Sequence, residues 1–69
     1  MDDLTEKLIE RGNQRIHIIR RTDGSYTFKH QRKIHGEWGG LGPLCGFFDS
    51  AKTAEAEARA RVWWLREPL

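Results

Sequence analysis

The sequence predicts an α+β fold with a short N-terminal helix, a three-stranded antiparallel sheet and a long C-terminal helix packed on one face. Three observations carry this prediction. An Asp-Gly pair separates two segments rich in β-branched and aromatic residues, which is typical of a β-hairpin. A glycine-rich stretch follows, and the chain then becomes rich in alanine, glutamate and arginine, which favour a helix. With 69 residues the chain forms one small domain, residues 1–69.

The first element is predicted to be a helix over residues 3–11. Leu4 and Leu8 lie one helical turn apart, and the aspartates before them suit a helix N-terminus. Gly12 is a suitable C-terminal stop. A helix of about nine residues is weak without packing, so we expect this one to dock on the rest of the domain.

A hairpin is predicted from residues 15–20 and 26–31, which flank Asp23-Gly24. Its register has two alternatives. A two-residue loop places Ile19 opposite Phe28 and turns Ile16 and Ile18 to the other face of the sheet, where they form a contact surface. A three-residue loop with a glycine bulge places Ile18 opposite Phe28, so that both isoleucines belong to the core. A shift of one residue exchanges the two faces of a strand.

The stretch from residue 36 to 46 holds five glycines and a proline, which predicts a loop or bend. Within it, Trp38 has two interpretations: it caps the core, or it stays exposed for contact with a partner. Residues 44–48 follow and are predicted to form the third strand, which ends at Asp49-Ser50.

The last element is predicted to be a helix over residues 51–66, capped by Ser50 or Asp49. One stripe of this helix should pack on the sheet, since its apolar residues recur at helical spacing: Ala51, Ala54, Ala58, Val62 and Leu65. A second apolar stripe lies on the opposite side and comprises Ala56, Ala60, Trp63 and Trp64. Either Leu4 and Leu8 of the N-terminal helix cover this second stripe, or a second subunit or another protein does.

Charge is unevenly distributed along the chain. Residues 11–35 hold seven basic residues and one acidic residue, whereas the remainder holds five basic and nine acidic residues. A basic hairpin can neutralise phosphates and can enter the major groove of DNA as a two-stranded ribbon. Nucleic-acid binding is therefore the alternative function, with five basic residues as its candidates: Arg20, Arg21, Lys29, Arg32 and Lys33.

Reactive groups are scarce. Cys45 is the single cysteine, which excludes an internal disulfide and fits a reducing compartment. The three histidines lack the close spacing of a structural zinc site, and the glycine cluster lacks the spacing of a phosphate-binding loop. We therefore expect no catalysis, no metal, no cofactor and no small-molecule substrate.

The chain is predicted to be cytoplasmic and not to bind membranes. Its start is acidic and lacks the basic region of a signal peptide, and it has no long apolar stretch.

Two segments carry a resemblance. The DGSYTF segment, followed by FFDSAKTAEAEARAR, resembles short bacterial domains of β-β-β-α order over roughly residues 15–62. The glycine-rich loop with Trp38 and the pair Trp63-Trp64 depart from that pattern. In length and arginine-rich composition, the chain is also similar to small phage proteins that disable host proteins by binding them, such as anti-quorum-sensing proteins of Pseudomonas phages. This similarity implies a dimer that sequesters a host transcriptional regulator or another host protein.

The predicted function is therefore protein binding by a non-enzymatic module that forms a homodimer and inhibits or regulates its target. Tryptophan and arginine are common in the energetically important parts of interfaces. The candidate contact residues are Ala56, Ala60, Trp63, Trp64, Trp38, Ile16 and Ile18.

Overall fold

The computed structural model describes residues 3–62 of the chain. Four antiparallel strands form one curled sheet, in the order β1-β2-β3-β4, and a helix follows them. The elements are β1 (Leu4–Arg11), β2 (Gln14–Arg20), β3 (Tyr26–Ile34), β4 (Glu37–Trp38) and α1 (Ala51–Arg61). The predicted α+β fold with helices at both ends is wrong, because the described chain is mostly β and has a single short helix.

The predicted N-terminal helix over residues 3–11 is a strand instead. β1 pairs with β2 from Leu4 opposite Arg20 to Arg11 opposite Gln14, with an irregularity between Thr5 and Lys7. Gly12 has a φ of 58°, which suits the first position of a two-residue hairpin loop. The same positive φ terminates a helix, so Gly12 agreed with both interpretations. Pairing satisfies the backbone groups that face β2 and brings Ile9 against the core, whereas a short isolated helix is only marginally stable.

The β2–β3 hairpin has the three-residue loop. Arg21 N–H donates to the Ser25 carbonyl at 2.8 Å, and Gly24 N–H donates to the Arg21 carbonyl at 3.0 Å. Gly24 takes a φ of 88°, as a glycine bulge requires. Ile18 consequently lies opposite Phe28.

The predicted third strand at residues 44–48 is also wrong. The strand after β3 is β4, which begins after a two-residue turn in which His35 has a φ of 52° and Gly36 a φ of 82°. Two consecutive positive φ values are characteristic of a type I′ turn. Within the predicted strand, Phe48 forms an isolated bridge with Tyr26.

The segment from residue 39 to 48 lies along the outer edge of β3 with an unusual spacing. Every third residue of the segment donates its N–H to every second carbonyl of β3. The bonds are Gly39 to Arg32 (2.9 Å), Gly42 to His30 (2.8 Å), Cys45 to Phe28 (3.2 Å) and Phe48 to Tyr26 (2.7 Å). Side chains one position before each of the last three donors are exposed: Leu41 (45%), Leu44 (40%) and Phe47 (62%). The segment therefore covers the edge of β3 without forming a regular strand.

Helix α1 begins after Ser50, whose side chain accepts a hydrogen bond from Thr53 N–H at 3.1 Å, as predicted for the cap. The helix ends at Arg61 rather than at residue 66, and residues 63–66 of the prediction lie outside the described residues. Lys7 Nζ donates to Glu55 Oε1 at 2.7 Å, which links α1 to β1 and lowers the pKa of the Glu55 carboxyl.

Among residues 3–62, no helix is long and apolar enough to cross a membrane.

The core lies between α1 and one face of the sheet, the helix-covered face. Ile16, Ile18 and Phe28 of this face are almost fully buried against Ala54, Ala58 and Val62. The alanines allow α1 to approach the strands closely, and Phe48 stacks on Phe28 with ring centroids 6.1 Å apart. Because the three-residue loop sets this register, Ile16 and Ile18 are core residues and offer no contact surface.

The contrast between two isoleucines tests this core. Ile18→Val should lower the free energy of unfolding by about 1 kcal/mol, because Ile18 is 0% exposed and loses a packed methyl group. Ile34→Val, in β3 at 55% exposure, should change it by less than about 0.5 kcal/mol. Urea unfolding followed by circular dichroism measures both. Equal losses would contradict the burial of Ile18 beneath α1.

Candidate nucleic-acid interface

The face of the sheet opposite α1, the helix-free face, gathers polar, cationic and aromatic side chains. Alternation along each strand places on it the residues that are out of phase with Ile16, Ile18 and Phe28. The register brings the following half-buried side chains together there: Arg15 and His17 of β2, Lys29, Gln31 and Lys33 of β3, and Trp38 of β4. At the end of the face next to the β2–β3 loop lie Ile19 and Thr27, which are almost fully buried.

Gln31 is at the centre of the contacts on this face. Its Oε1 accepts a hydrogen bond from Arg15 Nε at 2.6 Å and lies 2.8 Å from His17 Nε2. Its Nε2 donates to the Gly39 carbonyl at 2.6 Å. Gln31 thus joins β2 to the segment that follows β4, with both ends of its amide engaged.

The bond to Gln31 also determines the orientation of His17. An amide oxygen only accepts, so His17 donates from Nε2. In a neutral ring Nδ1 is then the acceptor, and Thr5 Oγ1 of β1 lies 3.1 Å from it. A chain of side-chain hydrogen bonds therefore crosses three strands, which holds the helix-free face in one arrangement.

Trp38 lies half-buried at one end of this face. The guanidinium carbon of Arg15 is 4.0 Å from the centre of the indole ring, and Lys33 Nζ is 5.3 Å from it. Both distances are within the range of a cation–π contact. Trp38 is thus neither a cap of the core beneath α1 nor a freely exposed ring: it organises two cations on the helix-free face.

The electrostatic character of the face follows from its strand positions. Arg15, Lys29 and Lys33 contribute three positive charges on two neighbouring strands. The carboxylate among the paired strand positions on this side is Glu10 of β1, which lies opposite Arg15 and is 3.7 Å from its Nη1. The balance is positive, which favours an anionic ligand.

The five basic residues predicted for nucleic-acid binding do not form one surface. Lys29 and Lys33 lie on the helix-free face, whereas Arg20 and Arg32 are in phase with the helix-covered face. Arg20 Nε pairs with Glu6 at 3.3 Å. Arg21 lies at the hairpin turn, where it pairs with Asp23 at 3.3 Å and covers the Phe47 ring at 4.5 Å.

Arg15 and Gln31 belong to this face but were not among the predicted site residues. The signal was present, because Arg15, His17 and Ile19 alternate with the isoleucines that form the core. This alternation identifies the face only when the hairpin register is known, because the register places Arg15 opposite Gln31. Trp38 was among the predicted contact residues, but its place beside Arg15 depends on the turn at His35-Gly36.

The predicted protein-binding stripe on α1 is described in part. Ala56 and Ala60 are exposed on the helix, whereas Trp63 and Trp64 lie outside the described residues. The N-terminal segment does not form a helix that covers this stripe, because it is β1 of the sheet. Leu4 and Leu8 remain 54% and 49% exposed.

Residues that would support chemistry are dispersed. Across residues 3–62, no group of three or more histidine, cysteine or carboxylate side chains is placed to hold a metal ion. Cys45 is half-buried, with its Sγ 3.6 Å from the Pro43 carbonyl. Burial lowers the pKa of His30, which packs edge-on against Phe28 on the helix-covered face.

Comparison with protein-family models, with curated proteins and with solved structures finds no match to this chain. We therefore infer its function from the geometry of its surfaces.

The contacts of Gln31 lead to a stability test. Gln31→Leu should lower the free energy of unfolding by about 1–3 kcal/mol, because it leaves Arg15 Nε, His17 Nε2 and the Gly39 carbonyl without their partner. Gln14→Leu, in β2 and in phase with the helix-covered face, is the matched control and should change it by less than about 0.5 kcal/mol. Urea unfolding compares them, and a Gln31→Leu protein as stable as the control would show that these bonds are dispensable.

Proposed function

We propose that this protein is a non-catalytic binding module whose helix-free face binds nucleic acid. One observation carries the proposal: Arg15, Lys29 and Lys33 lie on a single face of the sheet that α1 does not cover. Phosphates are the ligands that clustered arginine and lysine side chains bind in nucleic acids, and each neutralised phosphate releases counterions. The positive charge that the sequence concentrates in residues 11–35 supports the same partner.

Preorganisation of the face strengthens this proposal. Arg15 donates a hydrogen bond to Gln31 and lies over the Trp38 ring, and Lys33 lies over the same ring. A cation that is already positioned loses less conformational entropy when a ligand binds. Phosphate contacts by such residues give affinity and orientation rather than sequence specificity.

Adjacent residues on opposite faces of β3 provide the test. Lys33→Gln removes a cation from the helix-free face, and Arg32→Gln removes one from the other face. For the wild type, log affinity should fall linearly with log salt concentration, and Lys33→Gln should make that slope shallower by about 1. Arg32→Gln should keep the wild-type slope.

Fluorescence anisotropy with labelled duplex DNA, single-stranded DNA and duplex RNA, over about 50 to 200 mM salt, measures these slopes. If none of the three probes binds at the lowest salt concentration, nucleic-acid binding is excluded. If Arg32→Gln and Lys33→Gln weaken binding equally, the helix-free face is not the binding surface.

A second proposed activity is protein binding through the outer side of α1. The observation in its favour is that Ala56 and Ala60 are exposed and that the N-terminal segment, the alternative cover for this stripe, lies in the sheet as β1. Small residues at this spacing allow another helix to approach closely. A second copy of the chain, or a regulatory protein that the module inhibits, is the proposed partner. A cytoplasmic location belongs to this proposal, because the single cysteine suits a reducing compartment.

Sedimentation of variants at one position tests self-association through α1. The wild type should sediment as a dimer, at about twice its chain mass of 8.1 kDa. Ala60→Arg should shift it to the monomer because a long charged side chain prevents close approach, whereas Ala60→Ser should preserve the dimer. A monomeric wild type at all concentrations would exclude self-association, and a dimeric Ala60→Arg protein would place the contact elsewhere.

A further inference from the structure

We infer that the ligand of the helix-free face is double-stranded DNA of the B form, bound in its major groove, in preference to single-stranded nucleic acid or duplex RNA. This inference rests on the proposed nucleic-acid function and specifies the substrate class of the same face. Three properties of the described residues lead to it: the state of the aromatic rings, the spacing of the lysines and the regular backbone beneath them.

The aromatic rings argue against single strands, which bind largely by stacking bases on open ring faces. On the helix-free face the ring is that of Trp38, and Arg15 and Lys33 already lie over it. A base would have to compete with the guanidinium for that ring. The other described rings of phenylalanine and tyrosine are placed elsewhere. Phe28 and Phe48 stack on each other in the core, Tyr26 packs against the same core, and Phe47 lies under Arg21 beside the hairpin turn.

The spacing of the cations fits a duplex groove. Lys29 and Lys33 are four residues apart in one continuous strand, which corresponds to about 14 Å at roughly 3.4 Å per residue. The major groove of B-form DNA is about 12 Å wide. The backbone positions of the two lysines therefore span a distance comparable to the width of the groove, and we expect their side chains to contact phosphates on its two opposing walls.

The position of Arg15 completes the arrangement. It lies opposite Gln31, midway between the two lysines in register and on the next strand, about 5 Å to the side. The position of Arg15 along the strand direction is therefore between those of Lys29 and Lys33, not beyond either of them. Lys29 lies at the middle of the β2–β3 ribbon, opposite His17, and Arg15 and Lys33 lie towards the end nearer β4. Three cations on one half of a regular two-stranded ribbon match the shape of a groove better than the path of one flexible strand.

The form of the duplex follows from groove geometry. In A-form RNA the major groove is deep and narrow, so that side chains cannot reach its floor, and its minor groove is wide and shallow. A ribbon of two paired strands cannot enter the RNA major groove. The three cations can then contact phosphates on only one side of the groove. We therefore expect weaker binding to duplex RNA.

Competition between probes of one sequence tests this inference. A labelled DNA duplex of about 16 base pairs is displaced by unlabelled DNA duplex, by either of its single strands, or by the RNA duplex. We expect the DNA duplex to bind at least about 10-fold more tightly than the others, which corresponds to about 1.4 kcal/mol. Single strands or duplex RNA that compete as well as duplex DNA would overturn the inference and leave the proposed function intact. Failure of all probes to bind would remove the proposed function itself.

The choice of groove has its own measurement. A DNA duplex with bulky substituents on the 5-positions of its thymines, which project into the major groove, should bind at least about 10-fold more weakly. A saturating minor-groove ligand such as netropsin should leave the affinity within about 2-fold of its original value. Displacement by netropsin with no effect of the thymine substituents would overturn the assignment to the major groove. The double variant Lys29→Gln/Lys33→Gln should lose about two units of salt slope on the unmodified duplex.

Discussion

The three-residue loop between β2 and β3 is the constraint on which the rest of the structure depends. Gly24 has a positive φ in this loop, and the bulge it forms sets Ile18 opposite Phe28. With that register, Ile16, Ile18 and Phe28 all point towards α1 and bury one continuous apolar surface. A shift of one residue would turn these isoleucines to the other face and bring Arg15 and His17 under the helix, which would bury a cation.

The same register gives the protein two sheet faces with different properties. The helix-covered face is stabilised by burial of apolar side chains, with α1 held to β1 by the bond between Lys7 and Glu55. The helix-free face is instead organised by hydrogen bonds to Gln31 and by cations over Trp38. Because these contacts do not require a partner, Arg15 and Lys33 are in place before any ligand arrives. The proposed DNA contact depends on this preorganisation.

The edges of the sheet explain why several sequence signals were ambiguous. The predicted helix over residues 3–11 has the apolar spacing of a short helix, but as β1 it pairs with β2 and carries alternating charges on its exposed side chains. On the other edge, the segment from 39 to 48 meets β3 through every third N–H, a spacing that neither a strand nor a helix pattern predicts. A Cβ at Gly39 or Gly42 would lie 3.4 Å from a carbonyl oxygen of β3, at the lower limit of ordinary van der Waals contact, so the segment lies close against the strand. The conformation of such edge segments depends on which backbone groups of the neighbouring strand need hydrogen-bond partners. A local sequence pattern does not contain that information.

By itself, the sequence determined the β2–β3 hairpin, the start of α1 at Ser50 and the concentration of positive charge in the middle of the chain, because turn residues, caps and charge are local properties. It left the hairpin register open, and with it the roles of Ile16 and Ile18. Only the tertiary structure decided which side chains share a face, separated Arg32 from Lys33 and brought Arg15 over Trp38. The physical reason is that cross-strand neighbours are selected by loop geometry and by the burial of the whole apolar surface, both of which involve residues distant in the chain.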